Sequence, residues 1–149
     1  MYIGGGLANK MFQYAFSLAI KKKGYDVVYD TITFKTEFVH DRVELDDIFP
    51  NVNMNKISKS DYWAAGKQNK LARLVKRISP KYITEHAYLF NDRVWKQIKP
   101  TCYLESSWQD ENYFVSAADE VRQAFVFPPF ENKRNVEVAK AMASSNSVA

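Results

Sequence analysis

Three consecutive glycines, Gly4 to Gly6, run directly into a segment with helical spacing. Phe12, Ala15, Phe16, Ala19 and Ile20 recur at the intervals of one helix face. The spacing predicts a helix over residues 8–23. Lys21, Lys22 and Lys23 in its last turn and Gly24 just beyond are stop signals. The run from Asp26 to Thr33 (DVVYDTIT) then reads as a buried parallel strand. Helix, glycine, strand is the second half of a βαβ unit, so the chain is directed toward an α/β fold with a mostly parallel, Rossmann-like sheet and flanking helices.

The rest of the chain fits that alternation. One short helical turn is expected around Leu45 to Phe49, helix over residues 58–79, a strand at Tyr82 to Glu85 and another at Thr101 to Glu105. Residues 110–125 read as helix with two starts, Phe127-Pro128-Pro129-Phe130 as a linker, and Glu131 to Ser144 as a final helix before a strand from Ser147. A length of 149 residues is enough for one domain with a core of its own.

Glycines ahead of a helix let the backbone approach a ligand closely, and the unpaired N–H groups of the first turn then face it. Such a corner suits an anionic or hydroxyl-rich ligand. As a bare pattern, Gly4 to Asn9 is G-x-G-x-x-N, a dinucleotide fingerprint without its third glycine. Asp30 closes the next strand about where a ribose-binding acid would sit. A plain tight turn explains the same residues.

The longer run Gly5-Gly6-Leu7-Ala8-Asn9-Lys10-Met11-Phe12-Gln13-Tyr14-Ala15-Phe16 closely resembles the GGLGNQMFQYAF signature of the bacterial α-1,2-fucosyltransferases, glycosyltransferase family 11. Tyr103 to Phe114 (YLESSWQDENYF) resembles that family's YLEGYWQSEKYF, Val43 to Phe49 its YELDKIF, and Val121 to Pro128 its IRKDFTFP. The resemblance spans nearly the whole chain. It implies the N-terminal, acceptor-side half of a GT-B enzyme, two Rossmann-like domains facing across a cleft, over residues 1–149. It implies transfer of L-fucose from GDP-fucose to a galactose 2-hydroxyl of a glycan, with inversion and without a metal or other cofactor. The partners implied are therefore a sugar nucleotide and a galactose-containing acceptor.

Departures from the family's pattern are specific. Ala8 stands for a glycine, Lys10 for a glutamine, and Ser106-Ser107 for Gly-Tyr. The family's donor-binding HxRRGDY has no counterpart in the chain, and fewer apolar residues precede the glycines than the family usually has. The expectation is a fragment, with the C-terminal donor-binding domain absent, that has no transfer activity alone.

The substrate-binding candidates are Gly5, Gly6, Asn9, Lys10, Gln13, Trp108 and Gln109. Gly5 and Gly6 allow close approach. Asn9 can donate to and accept from a sugar hydroxyl or phosphate oxygen, or serve as a helix N-cap. Lys10 offers a point charge to a phosphate, or is a solvated first-turn lysine. Gln13, four residues beyond Asn9, extends the same polar face. Trp108 offers a flat face to a pyranose ring, or belongs to the core; Gln109 can bond a sugar hydroxyl. No spacing identifies the base that an inverting transfer needs. Asp41 beside His40, Glu44, Asp46, Asp47, Asp110 and Glu111 are the candidates. The two histidines, His40 and His86, and the lone Cys102 make no metal-ligand spacing, and no Asp-x-Asp is present.

One cysteine excludes an internal disulfide and fits a reducing compartment, no apolar run reaches membrane-spanning length, and residues 1–20 do not read as a secretory signal. The reading is a cytoplasmic protein. The net charge of +4 is concentrated between Lys56 and Lys81. There Leu71, Leu74, Val75 and Ile78 mark residues 67–79 as a basic amphipathic helix. A solvated helix face explains it; peripheral contact with the anionic inner face of a membrane is the functional alternative, and no nucleic-acid motif accompanies it. Two other function classes stay open: a Rossmann-type nucleotide-binding protein using the glycine loop and Asp30, and a basic interaction module binding anionic membrane or polymer.

Overall fold

The computed structural model describes residues 1–32, 43–60, 81–85 and 89–145. The basic helix at 67–79, the His40-Asp41 pair, His86 and the strand expected from Ser147 lie outside the described residues.

Helix α1 spans Leu7–Lys22, one residue earlier at each end than its spacing predicts. Gly6 is its N-cap, with extended backbone (φ −63°, ψ 168°), and the first helical bond runs from Lys10 N–H to Gly6 C=O at 3.1 Å. The helix ends as Gly24 requires. Gly24 takes φ +89°, its N–H reaches Lys21 C=O at 2.8 Å, and Tyr25 N–H reaches Ile20 C=O at 3.4 Å. These two bonds form a Schellman motif and satisfy carbonyls that a helix end otherwise leaves open.

The apolar face of α1 is the centre of the core. Phe16 is fully buried, with ring centroids of Trp108, Trp95 and Tyr113 at 4.9, 5.1 and 5.1 Å. Tyr14 packs on Tyr29 at 5.8 Å and on Phe125 at 5.9 Å, and Phe125 continues to the buried Phe49 at 5.1 Å. Aromatic contacts at such separations add about 0.5–1.5 kcal/mol each beyond the area they bury. Inside this cluster Ser17 Oγ donates to Tyr14 C=O and accepts from Tyr29 OH at 2.7 Å, which satisfies a phenol that is fully buried.

Short elements surround α1. Helix α2 is the single turn Leu45–Ile48, closed by a reciprocal capping box between Glu44 and Asp47. Strand β1 (Tyr82–Ile83) pairs in parallel with β2 (Tyr103–Leu104), Tyr82 opposite Tyr103. Helix α3 (Arg93–Gln97) lies between them in sequence. Two 3₁₀ turns, Glu111–Tyr113 and Val115–Ala117, lead into α4 (Ala118–Ala124), and α5 (Lys133–Ala143) follows with no buried residue. The two starts expected over 110–125 are these two turns.

Parallel pairing beyond β1 and β2 takes the form of isolated bridges, Tyr2 with Asp30 and Tyr29 with Lys56. A bond from Tyr2 N–H to Leu104 C=O, 2.9 Å, joins residues 1–3 to β2. Hydrogen bonds thus order the extended segments 55–57, 29–30, 1–3, 103–104 and 82–83 side by side. Of the strand expected over 26–33, Thr33 lies outside the described residues, and among the described ones Tyr29 and Asp30 form bridges. A β-branched apolar run becomes a ladder only where neighbours run beside it, and alongside Val28 the neighbour is the α-ammonium of Met1, which donates to Val28 C=O at 2.6 Å.

Among the described residues no helix is long and apolar enough to cross a membrane.

Candidate functional site

The glycine loop leaves the carboxyl end of residues 1–3 and the loop carrying Trp108 leaves the carboxyl end of β2, so neighbouring segments deliver both loops to one edge. Two side chains then join them. Gln13 is 2% exposed; its Oε1 accepts from Gly4 N–H at 2.8 Å and its Nε2 donates to Ser106 C=O at 3.1 Å. Gln109 Nε2 donates to Asn9 Oδ1 across 100 residues of sequence. Ser106 Oγ also donates to Glu85 C=O, tying the same loop to the end of β1.

Gly5 has two reasons to be glycine. Its φ is +87°, and a Cβ there would stand 2.8 Å from Asn9 Nδ2. The close approach of Asn9 over Gly5 holds the amide in place. Gly6 differs: its φ is ordinary for any residue and a Cβ there would meet nothing within 4 Å. Among the described residues, open space therefore lies beside Gly6 at the start of α1. The first turn has no side-chain cap and no acidic residue, so its orphan N–H groups and the positive end of the helix dipole are offered to that space. Ala8, which replaces a glycine of the resembled signature, is an ordinary helical residue here and needs no positive φ.

Asn9 and Gln109 form the polar floor of this corner. Both are partly exposed, and each uses one group in their mutual bond. Asn9 Nδ2 and Gln109 Oε1 have no hydrogen-bond partner among the described residues. However the two amides are turned, the pair leaves one NH₂ group and one carbonyl for a ligand. A vicinal donor and acceptor suit a hydroxyl, which needs both.

Three sequence-predicted contacts lie inside the protein, and their roles are corrected to positioning. Lys10 is 4% exposed; its stem is covered and its ammonium donates to Val43 C=O at 2.7 Å. Gln13 spends both polar atoms on backbone, as above. Trp108 is 2% exposed, and Phe16 and Tyr113 pack on it at 4.9 and 5.5 Å, which leaves no ring face for a sugar. Trp108 also has φ +53°, and its Nε1 has no hydrogen-bond partner among the described residues. A bulky residue in the left-handed region is an outlier that its surroundings must hold; here it aims Gln109 at Asn9 while its own ring anchors the loop. Neither the clamp by Gln13 nor this backbone was legible beforehand. The glycine that the resembled signature carries two residues before its Trp was the available hint of an unusual loop.

The carboxylate candidates divide similarly. Asp110 caps the first 3₁₀ turn, accepting from Asn112 N–H at 2.9 Å and from Phe90 N–H at 2.8 Å. The Asn112 backbone bond foremost holds its carboxyl below the usual range, which weakens it as a base. Glu44 and Asp46 pair with Lys56, and Asp47 closes the capping box. Asp30 is 2% exposed and accepts from Tyr103 OH at 2.7 Å and Ile32 N–H at 3.2 Å, so a ribose would have to displace internal bonds. Among the described residues no group of three acidic, histidine or cysteine side chains could hold a metal ion.

Comparison with protein-family models, with curated proteins and with solved structures found no match. The functional reading rests on the sequence blocks and on this corner.

Proposed function

We propose that the chain is the acceptor-side portion of an inverting fucosyltransferase that moves L-fucose from GDP-fucose to a galactose 2-hydroxyl, and that the Asn9–Gln109 corner holds the sugar. The observation that carries the reading is the bond between these two side chains. The two blocks that resemble the fucosyltransferase signatures lie far apart in sequence, yet each contributes one amide to a single partly exposed corner. In this reading the free donor and acceptor groups of the pair bind adjacent hydroxyls. The uncapped first turn of α1 supplies positive potential beside them, suited to electron-rich oxygens. Gln13 and Trp108 keep the two loops in register from below. A Rossmann-like architecture and a metal-independent reaction belong to the same proposal.

The test is lactose binding by the chain itself, followed through backbone and side-chain amide resonances. Saturable shifts are expected at Gly5, Gly6, Asn9 and Gln109, with affinity falling about tenfold in Asn9→Ala, as for loss of one hydrogen bond to a sugar. Lactose without effect on these resonances would overturn the proposal.

The nucleotide-binding alternative is disfavoured by the internal bonds of Asp30. The basic segment of the interaction-module alternative lies outside the described residues.

A further inference from the structure

The extended segments that end at this corner share one register. Ile3, Leu104 and Ile83 are buried in the core that contains Phe16, and Ile83 lies opposite Leu104 in the parallel pair. Side chains two residues apart point to the same side of a pleated strand. Gly5, Ser106 and Glu85 therefore form the next row, at the carboxyl ends of residues 1–3, β2 and β1. Glu105 N–H donates to Ile83 C=O at 3.0 Å, which carries the pairing up to that row. In this row Gly5 has Asn9 over it, Ser106 is clamped by Gln13, and Glu85 brings a carboxylate.

Glu85 is partly exposed and is held in place. Asn91 Nδ2 donates to Glu85 Oε2 at 2.7 Å, Asn91 N–H donates to Tyr113 OH at 3.0 Å, and Ser106 Oγ donates to Glu85 C=O. The loop after β1 also returns to the neighbour of Gln109, because Phe90 N–H donates to Asp110 Oδ2 at 2.8 Å. The carboxylate is thus fixed between the loops of β1 and β2, as the Asn9–Gln109 pair is fixed between the loops of β2 and residues 1–3. Neighbouring strands are about 5 Å apart, so a sugar ring seated on the amide pair spans the distance toward Glu85. A carboxylate accepts at about four lone-pair sites, and Glu85 can hold Asn91 and a hydroxyl together. Asp110, which also stands beside Gln109, is taken up by the N–H groups of Asn112 and Phe90.

We infer that the Glu85 carboxylate accepts the hydrogen bond of the galactose 2-hydroxyl and is the base for its transfer. The inference rests on the reading of the Asn9–Gln109 corner as a sugar site. In the transfer, the hydroxyl oxygen bonds to C1 of fucose and the bond from C1 to the diphosphate oxygen breaks. Its electron pair leaves on GDP, and the hydroxyl proton passes to Glu85. Before transfer, the same hydrogen bond makes Glu85 the group that reads the 2-position of the acceptor.

Lactose and its analogue lacking the galactose 2-hydroxyl are titrated into the parent chain and into Glu85→Gln, with backbone and side-chain amide resonances as the readout. The parent is expected to bind lactose about tenfold more tightly than the deoxy analogue, as for a hydrogen bond to a charged group. In Glu85→Gln, whose amide oxygen still accepts from Asn91, the preference is expected to fall to about twofold or less, with the deoxy analogue bound equally by both proteins. The parent's preference should also decline as acid protonates the carboxylate, and that of Glu85→Gln should stay flat. An unchanged preference in Glu85→Gln, or equal weakening of both sugars, with the shifts at Asn9 and Gln109 intact, would overturn the role of Glu85 and leave the sugar site standing. Absence of lactose shifts at Asn9 and Gln109 in the parent chain would overturn both.

Discussion

Gln109 donates its side-chain amide to the side chain of Asn9, one hundred residues earlier in the chain. The bond makes the two loops one surface, so the ligand-facing groups of either residue depend on the other. For lactose binding, Asn9→Ala and Gln109→Ala are each expected to weaken affinity about tenfold, and the double variant little more than either single one. Titration of the four proteins gives the coupling directly. Strictly additive losses would mean that the residues act separately.

The two glycines of the loop should respond oppositely to substitution. Gly5→Ala places a side chain at φ +87° and 2.8 Å from Asn9 Nδ2. It is expected to cost about 1–3 kcal/mol in urea unfolding and to displace the Asn9 amide. Gly6→Ser adds a hydroxyl at an N-cap with room around it, and is expected to be neutral or to stabilise by a few tenths of a kcal/mol. The same hydroxyl would stand where a sugar is proposed to sit, so Gly6→Ser should weaken lactose binding without weakening the fold.

Gln13→Met tests the clamp. Methionine matches the shape of glutamine but leaves Gly4 N–H and Ser106 C=O without their side-chain partners. Each buried orphan costs about 1–3 kcal/mol, so a total loss of about 2–4 kcal/mol is expected in denaturant unfolding. Amide exchange at Gly4 should rise at the same time.

Helix α1 was legible because every local signal agreed: apolar spacing, cations in the last turn, and a glycine where the chain must adopt positive φ. Its predicted ends differ from the observed ones by a single residue. The shared edge for the Gly5 and Trp108 loops follows from placing both after parallel segments. What residue types could not convey is which groups turn inward. Lys10 is charged, yet its stem is buried because Val43 C=O lies within reach of the ammonium. Trp108 could have served a sugar or the core, and a backbone at φ +53° together with the neighbouring Phe16 decides for the core. The run from Asp26 to Val28 has strand composition, but pairing depends on a neighbour that composition does not describe.

Tyr29 predicts the alkaline limit of the fold. Its phenol is fully buried, donates to Ser17 Oγ, and has its pKa pushed by burial from 10.0 to about 12. In the unfolded chain the same group titrates near its ordinary value. Below pH 10 both states hold the proton and the contribution of Tyr29 to stability is intact. Between pH 10 and 12 the unfolded state releases its proton while the folded state keeps it, so stability falls as pH rises. A shift of this size corresponds to about 2–3 kcal/mol across that window. Tyr14, raised in the same direction by its burial, adds to the fall. Tyr29→Phe removes the titrating group, and Ser17 Oγ keeps its bond to Tyr14 C=O. Urea unfolding from pH 9 to 12 should therefore show a shallower alkaline loss in Tyr29→Phe than in the parent chain. An unchanged slope would place the alkaline transition in other groups.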